Sequence, residues 1–202
     1  MYIVLDTETT GVSSFKDRIT QLAFIRYSEN GEVLFKFNEY IKPNNWVIKD
    51  IDWYKQNGFS DAEAYEKGKF FTENNMSTKR CQDLGVDLYD ALRVLQDNLK
   101  MVNIVVGHNI AFDKRFILSE MKRNGIIVQL LQYKKTYCTM NKSRSIVNAL
   151  NKYGHKKAPN LTECVNHFKV GGKGEHEQQD ENFHDALYDV EMCNEIYRKL
   201  IK

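Results

Sequence analysis

The sequence predicts an α/β fold built around a mixed sheet. Three observations carry that expectation: an apolar N-terminal run followed by two β-rich stretches about a turn; leucines at helical spacing that lead into a second apolar run; and a last helix with an apolar stripe.

Taken in order, Tyr2 to Leu5 reads as a buried strand that ends in Asp6-Thr7-Glu8. Ile19 to Tyr27 and Val33 to Ile41 read as two more strands, with Asn30-Gly31 between them favouring a tight hairpin turn. Residues 43–80 mix charges with Trp46, Trp53, Tyr54, Phe59, Tyr65, Phe70 and Phe71 without a sustained period, and read as an insertion or a run of short helices whose rings either pack the insertion or offer stacking platforms. Leu88, Leu92, Leu95 and Leu99 then mark a helix, and Ile104-Val105-Val106 a buried strand. Gly107-His108-Asn109 turns into a helix that ends near Asn124-Gly125. Leu161, Cys164, Val165 and Phe168 suggest a short helix, the polar, Gly-rich stretch 171–183 a mobile loop, and Ala186, Val190, Cys193, Tyr197 and Leu200 the core stripe of the final helix.

The 202 residues suit a single domain, and 29 Lys+Arg against 27 Asp+Glu exclude a histone-like polycation and an acidic solvating tail. No segment approaches the roughly 18 apolar residues of a membrane span. A charge at position 6 interrupts any signal-peptide core, so a cytoplasmic location is expected. Cys81, Cys138, Cys164 and Cys193 are scattered without a C-x-x-C pair, which reads as reduced thiols and indicates neither a zinc site nor a disulfide framework.

Three motifs carry chemistry. In Asp6-Thr7-Glu8 the strand period places both carboxylates on one face, where a hard divalent cation would offset their repulsion. Asp113 follows Asn109 by four residues in the first turns of a helix, where the helix dipole favours an anion and the carboxylate can aim back at the strand ends. In His184-Asp185-Ala186-Leu187-Tyr188-Asp189, at about 100° per residue, Asp189 falls roughly 60° from the centre of the core stripe. Taken singly, each motif also fits a strand end, a capping residue or a solvated loop histidine.

Together and in this order, D-x-E, N-x-x-x-D and H-x-A-x-x-D closely resemble the DEDDh family of 3′→5′ exonucleases, which includes the proofreading epsilon subunit of a bacterial replicative polymerase. The string Leu5-Asp6-Thr7-Glu8-Thr9-Thr10-Gly11 resembles that subunit's first motif. The resemblance implies a ribonuclease-H-like fold, a central mixed five-stranded sheet flanked by helices, and hydrolysis of phosphodiesters at nucleic-acid 3′ ends. It implies that Asp6, Glu8, Asp113 and Asp189 bind two Mg²⁺ or Mn²⁺ ions and that His184 is the general base for the attacking water. His176 in the same stretch lacks the A-x-x-D continuation, and His108 reads as a local packing residue. By the same analogy Thr7, Thr9, Thr10, Gly11, Asn109 and Phe112 hold the terminal nucleotide. The family's His-Gly-Ile-Thr-like segment has only Asn74-Asn75-Met76-Ser77 as its counterpart, leaving Met76 as a candidate wedge against a base.

Single-stranded DNA is the favoured substrate on the first motif, with RNA the alternative inside the family and a catalytically silent nucleic-acid-binding domain the alternative outside it. A phosphatase of the D-x-D-x-T type would leave the H-x-A-x-x-D motif without a role. Proofreading would call for a separate polymerase partner; no membrane is implicated. Met121 to Thr162 holds nine cations and no acid, leaving 20 cations to face all 27 acids elsewhere. Beside a phosphodiester site this stretch, Lys134, Lys135, Lys156 and Lys157 among it, reads as a track for the phosphate backbone.

Overall fold

The computed structural model describes residues 1–171 and 185–202. Strands β1 (Tyr2–Thr9), β2 (Ile19–Tyr27) and β3 (Val33–Tyr40) form an antiparallel meander. Helices α1 (Ile51–Gln56), α2 (Asp61–Glu73), α3 (Thr78–Leu84) and α4 (Leu88–Lys100) follow. Strand β4 (Ile104–Gly107) leads into α5 (Ile110–Arg123) and α6 (Gln129–Gln132), then β5 (Lys135–Cys138), α7 (Thr139–Val147), α8 (Leu161–Phe168) and α9 (Ala186–Leu200). The sheet order is β3-β2-β1-β4-β5, with β4 parallel to β1 and β5 parallel to β4. It is the mixed five-stranded sheet flanked by helices that the sequence led us to expect.

Strand alternation divides the core in two. Ile3, Leu5, Leu22 and Phe24 pack on one face against Leu92, Leu95, Leu99, Phe116 and Ile117 of α4 and α5. Tyr2, Val4, Ala23, Ile25 and Tyr27 pack on the other against Ala186, Val190, Cys193 and Tyr197 of α9. The connection between β2 and β3 is longer than a two-residue turn. Ser28 N–H donates to Glu32 O, and of Asn30 and Gly31 only Gly31 takes a positive φ, 89°.

β1 runs four residues past Leu5, so Asp6, Thr7 and Glu8 lie within the strand and pair with Ala23, Leu22 and Gln21. A register shift between Glu8 and Thr9 then bends the strand end. Residues 43–80 fold mainly as α1–α3, and Met76 is 5% exposed, enclosed with Ile48 and Cys81. The expected base wedge is therefore corrected: Met76 fills a small apolar core beneath Tyr40, Trp46 and Phe71.

β5 divides the basic stretch. Lys135 opens the strand opposite Ile104, while Cys138 closes it opposite Gly107. At about 3.3 Å per residue, Lys135 sits roughly 10 Å back along the sheet from the end where β4 turns into α5. The Lys134 ammonium donates to Val102 O at 2.8 Å. One continuous track through Lys134, Lys135, Lys156 and Lys157 is thus corrected: the first pair lies at the opposite end of the sheet. The loop expected at 171–183 lies outside the described residues, except for Gly171. Among the described residues, no helix is long and apolar enough to cross a membrane.

Candidate metal centre and active-site cleft

Beyond Val4, β4 no longer pairs with β1, and the start of α5 fills the space. Thr7 N–H and Thr7 O–H both donate to Asp113 Oδ1, at 3.0 and 2.8 Å. The approach is close because Gly107 has no side chain: a Cβ there would stand 2.7 Å from Ile110 Cδ1 and 3.2 Å from Leu5 O. Asn109 turns the chain in the left-handed region (φ 66°), which asparagine tolerates, and makes no side-chain capping bond. Its side chain is exposed at the cleft.

Asp6 and Glu8 share the face of β1 that packs on α9. Asp185 caps α9, accepting from Leu187 N–H at 3.0 Å and Tyr188 N–H at 3.1 Å, and so aims the first turn at the sheet. One carboxylate oxygen each of Asp6, Glu8 and Asp189 lie within 4.8 Å of one another. Asp113 faces the same cleft, a cavity of about 440 Å³. Among the described residues none of the four carboxylates forms an ion pair.

Burial without a counter-charge sets their proton affinity. Burial, then Asp113 and Asp189, hold the Asp6 carboxyl well above the usual carboxylate range. Burial and then Asp189 push Glu8 up to about 8, and burial and then Asp185 push Asp189 up to about 7. Burial raises Asp113 to about 7 even though Thr7's hydrogen bonds pull the other way. An oxygen-only donor set this close, and this costly to leave ionised, fits a hard divalent cation such as Mg²⁺ or Mn²⁺.

The remaining candidates divide by what occupies them. Thr9 O–H donates to Gly11 O at 2.6 Å, and Thr10 Oγ1 accepts from Arg18 N–H at 3.0 Å. Both hydroxyls brace the loop after β1, although these residues and Gly11 line the cleft. Phe112 lines it too, half-buried, its ring 4.8 Å from that of Phe116. His108 Nε2 lies 3.1 Å from Pro159 O and Nδ1 3.0 Å from Thr139 Oγ1, and burial lowers its pKa. A neutral ring donating from Nε2 satisfies both bonds. His176 and His184 lie outside the described residues.

The sequence reading missed Gln21 here and left open whether Phe70 and Phe71 face bases or pack an insertion. Phe70 and Phe71 of α2 line the cleft; both stood in view as members of the aromatic run, but no period assigned them a face. Gln21, 2% exposed next to Glu8 in register, donates from Nε2 to Asn38 Oδ1 at 2.9 Å and to Asp185 Oδ2 at 3.3 Å. A buried glutamine within an apolar strand was the available signal.

A sequence profile described as Exonuclease, the RNase T family, matches residues 3–197. The chain belongs to this exonuclease family. DNA polymerase III PolC-type of Pediococcus pentosaceus is 24% identical over 216 residues, spanning 98% of this chain and 13% of the relative. The Staphylococcus aureus protein of the same description is 25% identical over 209 residues, spanning 100% and 11%. E. coli Exonuclease I in complex with a dA16 oligonucleotide superposes with a TM-score of 0.70 at 16% identity, over 100% of this chain and 40% of that one. Exonuclease I from Methylocaldum szegediense gives 0.69 at 17%, over 99% and 40%. The exonuclease family member described here thus spans a small part of its polymerase relatives and about two fifths of the Exonuclease I chains. These likenesses show the ribonuclease-H-like exonuclease fold.

Proposed function

We propose that the chain is a divalent-metal-dependent 3′→5′ exonuclease of the DEDDh type acting on single strands, DNA in preference to RNA. The observation that carries this reading is the set of carboxylate oxygens of Asp6, Glu8 and Asp189 within 4.8 Å of one another, with Asp113 on the same cleft. The order of the motifs, the polymerase relatives and the oligonucleotide complex of E. coli Exonuclease I support it.

Two Mg²⁺ or Mn²⁺ ions held by Asp6, Glu8, Asp113 and Asp189 would supply Lewis-acid stabilisation of the charge that builds on the phosphate and acidify the attacking water. The protein's own part is positioning. Thr7 fixes one Asp113 oxygen through two hydrogen bonds, and Gln21 and Asp185 fix the start of α9, hence Asp189. Phe70, Phe71 and Phe112 give the cleft apolar walls suited to the faces of bases. His184, immediately before the Asp185 cap, is the proposed base; an imidazole titrating near neutrality suits that task.

The test is a 5′-labelled single strand incubated with Mg²⁺ or Mn²⁺. Ladders shortening from the 3′ end are expected, with His184→Ala and Asp6→Ala inactive. No shortening under any divalent metal would sink the proposal, and faster trimming of a matched RNA would overturn the DNA preference. Thr7→Val removes the hydroxyl bond to Asp113 and keeps the backbone one, so single-turnover rates should fall about tenfold, the worth of one hydrogen bond to a charged group. An unchanged rate would remove Thr7 from the positioning role.

A further inference from the structure

Resting on that reading, we infer that a groove beside the cleft, formed by α7 and the turn before α8, grips the phosphate backbone of the strand upstream of its 3′ end. Asn141, Arg144, Ser145, Asn148, Lys156 and Lys157 line this open cavity of about 550 Å³. The groove lies wholly in the acid-free stretch, and the fold leaves Lys134 and Lys135 elsewhere.

The cations in it play different parts. Lys157 Nζ is bonded to Glu163 Oε2 at 2.6 Å, and Glu163 also closes the capping box of α8 with Asn160, so Lys157 braces the wall. Arg144 and Lys156 are exposed and form no ion pair among the described residues. Around them the groove offers amides and a hydroxyl but no carboxylate. Such a lining suits phosphate oxygens, each a charge to neutralise and an acceptor to satisfy.

The groove is also fixed in place. The turn is closed by the Leu150–Lys156 bridge and by Asn151, whose side-chain oxygen accepts from Tyr153 N–H and His155 N–H. His108, a wall of the cleft, bonds to Thr139 at the start of α7 and to Pro159 after the turn. One imidazole therefore ties both sides of the groove to the cleft, and a strand leaving the cleft past His108 meets Arg144 and Lys156.

The experiment is fluorescence anisotropy of a 5′-fluorescein oligothymidylate of about 15 nucleotides in EDTA across a salt series, comparing wild type with Arg144→Gln/Lys156→Gln. The double variant should bind about tenfold more weakly, with a log–log salt slope flatter by about 1.4 for two lost phosphate contacts. The defect for a trinucleotide should stay within about twofold, and oligouridylate should show the same loss as oligothymidylate, because phosphate contacts do not read the sugar. Lys135→Gln, at the far end of the sheet, should bind as wild type does. An unchanged affinity and slope, or equal defects for long and short strands, would overturn the groove. Wild type that binds but never hydrolyses would overturn the exonuclease reading and leave the groove standing.

Discussion

Asp6→Asn should remove activity and at the same time make the metal-free protein more stable. Asp6 is half-buried beside Asp113, Asp189 and Glu8, and its loss of water and then each of these neighbours raise its pKa. At pH 8 in EDTA folding holds the Asp6 carboxyl either with a proton that the unfolded chain has released or with a charge its neighbours repel, and the isosteric amide escapes both costs. A gain of about 2 kcal/mol corresponds to a melting temperature roughly 5 °C higher for a chain of this size. At pH 5, close to the unfolded carboxylate value, the gain should shrink to a small fraction of that. Activity should fall by about 10³-fold or more, because a lost ligand withdraws several kcal/mol of charge stabilisation. A variant less stable than wild type in EDTA at pH 8 would contradict a cluster held together against its own charge.

The same residues explain what the sequence could and could not disclose. β1, β4 and α9 were legible because each must bury a regular apolar pattern, and the positions of Asp6, Glu8 and Asp189 follow from those periods. β5 was not: it has four residues, of which Lys135 and Thr136 are exposed, so no alternation exists to be read. α7 escaped for a related reason. Its buried residues are Thr139 and Ser143, small polar side chains that leave no apolar stripe.

α2 misled in the opposite sense. Its buried residues are Ala64 and Gly68, and a Cβ at Gly68 would stand 2.4 Å from Ile51 N. The helix therefore packs by its smallest residues, and the larger Phe70 and Phe71 reach the cleft. Met76, read from the sequence as the base contact, went into the core. Hydrophobicity predicted burial here, whereas the space available at α1 decided it.

The metal-free protein should also lose stability as pH rises from about 5 to about 8, the reverse of ordinary carboxylate behaviour. In the unfolded chain Glu8, Asp113 and Asp189 titrate near 4.5, 3.8 and 3.8; in the fold they titrate at about 8, 7 and 7. Across that window the folded state holds protons that the unfolded state has released. Stability is thus fully present below the unfolded values and is lost as pH climbs through the folded ones. Each tenfold gain in proton affinity on folding is worth about 1.4 kcal/mol, and the groups share one another's repulsion, so a total loss of a few kcal/mol is expected, on the order of 10 °C in melting temperature. A divalent cation replaces those protons, so added Mg²⁺ or Mn²⁺ should raise the melting temperature little at pH 5 and most at pH 8. Differential scanning fluorimetry in EDTA and in excess metal reads both slopes. A flat or rising profile in EDTA would mean that the four carboxylates do not share one poorly hydrated cluster. Asp6→Asn serves as the internal reference, because an amide takes up no proton and removes the contribution of the raised Asp6 carboxyl, so its slope in EDTA must be the shallower of the two.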